Sequence, residues 1–381
     1  MSAIRVMTIF GTRPEAVKMA PVVQRLRESS DFHPIVTVTG QHREMLDQVT
    51  RLFGITPDHD LNVMRPEQSL VDIATRALRG LYKVLEQVRP AMVLVQGDAH
   101  STFIGALAAY YHRIPIGHVE AGLRTADKYQ PFPEEMNRRM TSSLADLHFA
   151  ATPSAKANLM REGVHERAIV VTGNTVIDAL YAVKDLTGIP SVDGLPPLEG
   201  RRLVLVTTHR RENWGDPLRE IYLALIDLLE RFEDIELVFS VHPNPAVRRV
   251  VNDVLRSHPR AHLIEPPDYG PWVQLMQRAY LILTDSGGIQ EEATALGRPA
   301  LVLRRVTERP EGVAAGTLKL VGTDRRRIVD EAGLLLTDAT AYRAMARAHN
   351  PYGDGRAAER IVQALRYHFG RIPQPPEEFA G

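Results

Sequence analysis

The chain of 381 residues contains no cysteine, which excludes disulfide staples, thiolate metal sites and a cysteine nucleophile. It has no net charge either. Its 46 lysines and arginines balance 46 aspartates and glutamates, so no overall field draws it to nucleic acid or to an acidic membrane. Any anion it binds must be gripped locally. No run approaches the ~18 consecutive apolar residues of a membrane span. Residues 1–10 read as a strand without a cleavable-signal pattern, so the chain is expected in the cytoplasm. No low-complexity tract or short-period repeat interrupts it. No strand is followed by the Gly-x-Gly-x-x-Gly loop that binds dinucleotides, and the histidine spacing fits no usual ligand pattern. Neither a cofactor nor a metal is expected.

What the chain does contain is alternation. Its length makes two domains the prior. Candidate strands are Arg5–Phe10, Ile35–Thr39, Met92–Val95, Pro115–Val119, Leu147–Ala150 and Ile169–Thr172. Longer amphipathic stretches such as Pro14–Glu28, Val71–Gln87 and Thr102–Tyr111 lie between them. This pattern predicts parallel sheets with helices on both faces. Residues 188–201, dense in glycine and proline, break the rhythm as a linker does. Strands then resume at Leu203–Thr207, Leu237–Val241, Leu281–Thr284 and Ala300–Leu303. The reading is an α/β chain of two Rossmann-like, doubly wound domains, residues 1–171 and 172–365, joined near 172–200. A C-terminal helix at about 355–368, with the stretch from about 366 to 381, is free to cross back to the first domain. Ligands bind outside the carboxyl ends of open parallel sheets, and two such domains facing each other would line a central cleft.

The chemistry-bearing motifs all fall just past apolar strands. Gly11-Thr12-Arg13-Pro14-Glu15 follows the first. Gly11 permits a tight turn, Pro14 starts a helix, and Arg13 with Lys18 can reach an anion over the helix N-terminus. A surface turn capped by Glu15 explains the same residues. Asp98 follows Val93–Gly97, and Glu120 follows Ile116–Val119. Either acid alone is an ordinary acceptor for loop amides. Two of them, with Glu134 downstream, can surround one small ligand and divide acid and base roles. Glu134 and Arg138 lie four apart on a helix entered through Pro131-Phe132-Pro133, a pattern that also suits plain capping.

Further on, His209-Arg210-Arg211-Glu212 and His242-Pro243-Asn244-Pro245 follow strands. They read as basic loops, or as a diphosphate grip in which His209 donates a proton to a leaving oxygen. Asp285-Ser286-Gly287-Gly288 is the clearest nucleotide signal. Its bare N–H groups and helix dipole face a phosphate, with Glu292 placed for ribose hydroxyls. Glu308-Arg309-Pro310-Glu311-Gly312 is another charged loop at a strand end.

In chain order stand GTRPEAVKMAP, GQHREMLDQV, GHVEAGLRT, PEEMNR, TGNTVIDAL, HRREN, VHPNP, TDSGGIQEEA and TERPEGVAAGT. Through these, the chain from Gly11 to the Asn350–Arg356 stretch resembles the non-hydrolysing UDP-N-acetylglucosamine 2-epimerases. The resemblance implies a GT-B fold with UDP held mainly by the C-terminal domain. It also implies a cytoplasmic homodimer, whose ligands are UDP-N-acetylglucosamine and UDP. Its product, UDP-N-acetylmannosamine, would serve surface polysaccharide synthesis. By matching position, Asp98, Glu120, Glu134 and His209 correspond to the family's catalytic group. Arg13, Lys18, Arg138, Ser286, Gly287, Gly288, Glu292 and Arg309 correspond to its substrate contacts. Gln41, Arg210 and His242 correspond to an activator site that takes a second UDP-N-acetylglucosamine in bacterial members. Two departures stand out: Ala99-His100-Ser101-Thr102 replaces a threonine run, and Glu44 and Glu67 occupy positions where some members place neutral or basic activator-site residues.

The chemistry accounts for the residues without the name. A C2 proton beside an N-acetyl group is not acidic in the ground state. Breaking the C1–O bond to UDP creates an oxocarbenium-like centre that acidifies it. A base then leaves 2-acetamidoglucal and UDP, and re-addition gives the epimer. Acid and base groups are needed on two ring faces, which suits several carboxylates. Three rivals share parts of the pattern: a GT-B glycosyltransferase using a UDP-sugar, a hydrolysing 2-epimerase, and a non-catalytic UDP-sugar sensor. Turnover without an acceptor, release of free sugar, and exchange of the C2 hydrogen separate them.

Overall fold

A computed structural model describes residues 2–40, 43–65, 68–125, 127–192, 195 and 200–381, the side chains of 43–45 excepted. The chain forms two compact units, Met1–Tyr181 with Tyr352–Gly381, and Ala182–Pro351. Both are built on parallel sheets.

The first unit holds seven strands: β1 (Ile4–Phe10), β2 (Phe32–Val38), β3 (His59–Asp60), β4 (Met92–Gln96), β5 (Ile116–Ala121), β6 (Leu147–Ala150) and β7 (Ile169–Val171). Their order is β3-β2-β1-β4-β5-β6-β7. Helices connect them: α1 (Arg13–Glu28), α2 (Arg43–Leu52), α3 (Leu70–Val88), α4 (His100–Tyr111), α5 (Glu134–Leu144), α6 (Pro153–Arg161) and α7 (Thr175–Lys184). The inner strands β1 and β4 read as unbroken apolar runs because both their faces are covered, and Val6–Phe10 and Met92–Gln96 are buried throughout.

The second unit repeats the plan with β8 (Arg202–Thr208), β9 (Ile235–Val241), β10 (Ala261–Ile264), β11 (Ala279–Thr284), β12 (Ala300–Val302) and β13 (Leu318–Leu320). The order is β10-β9-β8-β11-β12-β13. Its helices are α8 (Asp216–Arg231), α9 (Pro245–Leu255), α10 (Tyr269–Arg278), α11 (Gly287–Ala295), α12 (Pro310–Ala314), α13 (Arg325–Thr337) and α14 (Ala339–Ala346). Leu225, Leu228 and Leu229 of α8 and Ile328 and Leu336 of α13 pack with Val204, Val206 and Phe239 into one core. Each sheet thus follows the doubly wound Rossmann order, as a GT-B chain does. The direction of winding reverses between β1 and β4 and between β8 and β11, and crevices at such reversals bind ligands.

The division of the chain differs from the sequence expectation of 1–171 and 172–365. α15 (Ala357–His368) belongs wholly to the first unit, and so does most of α7. The reason is a long-range cap. The Asp178 carboxylate on α7 accepts the N–H groups of Ala357 (3.1 Å) and Ala358 (2.8 Å), which open α15. α15 then packs beside α1, with Arg366 on Asp31 at 2.8 Å and the Phe369 ring edge-on to Phe32. The tail follows it, and the Phe379 N–H donates to the Val171 carbonyl of β7 at 2.8 Å. Among the described residues no helix is long and apolar enough to cross a membrane.

Candidate active site

In the first unit the chain leaves β1 through Gly11 and turns into α1, with Arg13 half-buried at its first position. Glu15 is buried and structural. Its carboxylate takes the N–H groups of Gly11 (3.1 Å) and Thr12 (2.8 Å) and the hydroxyls of Ser101 (2.7 Å) and Thr102 (3.1 Å). Burial pushes its pKa up despite these bonds. It ties the first turn of α1 to the first turn of α4.

Lys18, one turn further along α1, reaches the end of β5, where its ammonium donates to Oε2 of Glu120. Gln96 Nε2 donates to the same oxygen at 3.0 Å. Glu120 is buried and sits at φ +61°, a left-handed conformation that costs a non-glycine residue about 1–3 kcal/mol. Pairing with β6 shifts register between Val119 and Ala121, so Glu120 occupies a bulge that re-aims its side chain at the strand end.

Asp98 follows Gly97, which turns at φ +70° past β4. Arg138 of α5 donates to Asp98 Oδ2, and Asn137 Nδ2 donates to the Asp98 carbonyl at 2.9 Å. Arg138 also stands 3.4 Å from Glu135, a fully buried carboxylate held by Arg139 at 2.7 Å and by the Thr125 N–H at 3.1 Å. Glu134 is half-buried at the first position of α5, which follows two cis peptide bonds, Gln130–Pro131 and Phe132–Pro133. Behind these acids lies His118, fully buried, with Nε2 2.7 Å from the Gly97 carbonyl. Burial lowers its pKa to about 4, so the ring is neutral. His148, opposite it on β6, is likewise lowered to about 4 by burial and then by His118.

In the second unit the hub is Asp285 at the end of β11. It is completely buried and accepts the N–H groups of His209 and Arg210, both at 3.0 Å, and Asn213 Nδ2 at 3.1 Å. Its Oδ1 also lies 3.0 Å from His209 Nδ1. Burial alone would raise its pKa, yet His209 and the Arg210 N–H outweigh that and hold it below the usual range. With Nδ1 engaged by a carboxylate, Nε2 is the His209 nitrogen left for a ligand. The ring stacks on His242, centroids 5.9 Å apart, and His242 is pushed down by burial and by His209.

α11 opens on Ser286-Gly287-Gly288, and the two glycines serve different ends. A Cβ on Gly287 would collide with the Arg309 guanidinium, whereas one on Gly288 would meet nothing within 4 Å. Open space over a helix N-terminus is where a phosphate approaches. Arg309 is buried, its Nε 2.7 Å from Glu291 and its Nη1 2.9 Å from Glu308. Arg304 joins Glu308 and Glu212, each at 2.8 Å. Burial alone would raise Glu308, but Arg309, Arg304 and Arg210 hold it far below the usual carboxylate range. Glu292 is buried and accepts from the Tyr269 hydroxyl at 2.9 Å.

The structure therefore joins Lys18 to Glu120 and Arg138 to Asp98 in one unit, with Arg13 and Glu134 on the helices beside them. In the other it gathers His209, Arg210, His242, Ser286, Gly287, Gly288, Glu292 and Arg309 around the β8 and β11 ends. Gln41 and Glu67 lie outside the described residues, as does the Glu44 side chain. Sequence reasoning gives no role to Gln96, Asn137, Asn213, Asp285 or Tyr269. The first four adjoin or lie inside motifs already marked; Tyr269 carries no such signal. Among the described residues no group of three His, Asp or Glu side chains is placed to hold a metal ion.

Comparison with known proteins gives one family. The family model for UDP-N-acetylglucosamine 2-epimerase matches residues 24–366. The UDP-N-acetylglucosamine 2-epimerase of Bacillus subtilis strain 168 is 50% identical over 382 residues, covering 100% of both chains. The S. aureus MnaA–UDP co-structure superposes with a TM-score of 0.93 at 48% identity, over 99% of this chain and 100% of that one. The crystal structure of the UDP-GlcNAc 2-epimerase of Neisseria meningitidis bound to UDP-GlcNAc gives 0.88 at 45%, over 96% and 100%.

Proposed function

The chain belongs to the UDP-N-acetylglucosamine 2-epimerase family, and on that premise we propose that it interconverts UDP-N-acetylglucosamine and UDP-N-acetylmannosamine by the non-hydrolysing route. UDP leaves C1 and a base takes the C2 proton, giving 2-acetamidoglucal; a proton then returns to C2 on the opposite face and UDP re-adds to C1. The observation that carries this reading is the pair of anchored acids at adjacent strand ends. Glu120 is held by Lys18 and Gln96, and Asp98 by Arg138. Both donors to Glu120 meet Oε2, which leaves Oε1 to address the sugar.

Asp98, Glu120 and Glu134 supply acid and base groups, each worth about 10²–10⁴-fold in rate. His209 Nε2, with Nδ1 fixed by Asp285, protonates the leaving diphosphate oxygen. The N–H groups at Ser286-Gly287-Gly288 hold that diphosphate, and Glu292, steadied by Tyr269, takes the ribose hydroxyls. Lys18, Arg138 and Arg13 neutralise charge around the sugar. Arg309 acts through the loop it packs, given its bonds to Glu291 and Glu308. The working enzyme is a cytoplasmic homodimer, its product serves surface polysaccharide, and Gln41, Arg210 and His242 take an activating second substrate molecule.

Turnover of UDP-N-acetylglucosamine in D₂O, followed by proton NMR with no acceptor present, tests the reaction. The epimer should carry deuterium at C2. Full protium there would sink the elimination route, and accumulation of free N-acetylmannosamine would favour the hydrolysing alternative.

A further inference from the structure

β4 and β5 run side by side, with Val95 opposite His118 and Gln96 opposite Val119. Each strand leads into an acid, Asp98 or Glu120. Two residues before its acid, each carries a buried polar side chain that crosses to the other strand's end. Gln96 donates to the Glu120 carboxylate at 3.0 Å, and His118 Nε2 lies 2.7 Å from the Gly97 carbonyl. A carbonyl oxygen only accepts, so His118 is the Nε2–H tautomer and the donor. Gln96 is 2% exposed and His118 not at all. Burial keeps the ring neutral; of the charges that face it, Arg124 and Arg138 push the same way and Asp98 opposes them.

The reach across matters because the ladder gives out here: the Gly97 N–H still donates to the Val119 carbonyl at 2.9 Å, but neither acid side chain is aimed by that bond. Gly97 turns at φ +70° and Glu120 at φ +61°, so both have left the regular strand conformation. Main-chain pairing does not dictate where such residues point. We propose that Gln96 and His118 form a reciprocal clasp of positioning residues that sets the Gly97–Asp98 turn against the Glu120 carboxylate, so that both acids address one sugar ring. The clasp deepens, and rests on, the epimerase reading above. Lys18 and Arg138 compensate charge from helices; the clasp sets geometry between strands.

His118→Phe keeps ring volume and removes the donor. His118→Gln restores an N–H at about the reach of Nε2. His118→Phe should lower kcat by about 10²-fold, the scale of an ångström-level misplacement, with KM and UDP affinity changed less than about threefold. His118→Gln should recover most of kcat. Added to Asp98→Asn, His118→Phe should cost little more, because the two act through one group. A wild-type kcat in His118→Phe, a Gln variant no better than Phe, or full additivity with Asp98→Asn would overturn the clasp. Amide hydrogen exchange across residues 97–100 reads the same device without turnover. It should rise in His118→Phe and not in His118→Gln. Unchanged exchange in His118→Phe refutes the clasp even if the wild-type protein fails to exchange C2 hydrogen, a failure that counts against the epimerase reading alone.

Discussion

Asp178 offers the sharpest quantitative test. Its carboxylate is buried, and burial raises its pKa from 3.8 to about 6, the N–H bonds from Ala358 and Ala357 offsetting only part of the cost and Asp354 adding to it. Because the folded value lies above the unfolded one, the folded state binds the extra proton between about pH 4 and pH 6. Stability must therefore fall as pH rises through that window. From 3.8 to about 6, at about 1.4 kcal/mol per pH unit, the contribution is about 3 kcal/mol. Asp178→Asn keeps an acceptor for only one of the two α15 N–H groups and cannot ionise. Relative to wild type it should gain stability by up to about 3 kcal/mol between pH 4 and pH 7. Both tryptophans, Trp214 and Trp272, lie in the second unit, so fluorescence reports the wrong region. Hydrogen exchange of the α15 amides, corrected for intrinsic rates, reports the right one. A wild-type-minus-variant difference that stays flat from pH 4 to pH 7 would refute the reasoning.

Other perturbations separate structure from chemistry. Gly288→Val should weaken UDP binding in calorimetry by more than tenfold with little change in melting, whereas Gly287→Ala, which strikes Arg309, should lower the melting temperature of the second unit. Equal effects of the two substitutions would contradict the division between them. Asp98→Asn, Glu120→Gln and Glu134→Gln should each cut turnover by about 10²–10⁴-fold while UDP affinity holds, and should release UDP and 2-acetamidoglucal detectable by chromatography. Asp285→Asn deprives buried donors of a carboxylate and should cost the second unit about 3–5 kcal/mol, read by tryptophan fluorescence in urea; a loss under 1 kcal/mol would deny Asp285 its place as hub.

The central strands are legible because burial on both faces writes itself as apolar runs, and β1, β4, β5, β8 and β11 fall within one or two residues of expectation. The strands left unread are β3, β10 and β13, each at a sheet edge. His59-Asp60 has no apolar signature, and Leu318-Lys319-Leu320 is too short to show a period; only hydrogen bonds to a neighbour make them strands. The place of α7 was hidden for a similar reason, since the bonds from Ala357 and Ala358 to Asp178 join residues 179 and 180 apart. At the site, glycines and acids after strands announce backbone geometry locally. Their partners do not: Tyr269 meets Glu292 from 23 residues away, and nothing in the charge of Arg309 says that Glu291 and Glu308 take two of its nitrogens.

The interleaved order of the two units also bears on how the chain comes off the ribosome. Between residue 181 and residue 352 lie 170 positions, all of them spent on the second unit. At about 5–20 residues per second that is a wait of roughly 9–34 s. During it the second unit can finish folding, while the earlier-made unit still lacks the helix that packs beside α1 and the tail that bonds to β7. Ile361, Val362 and Leu365, buried in the finished fold, are not yet there to cover their partners. Slowed synthesis across 182–351 should lengthen that exposure and recruit ribosome-associated chaperones to the first unit, not to the second.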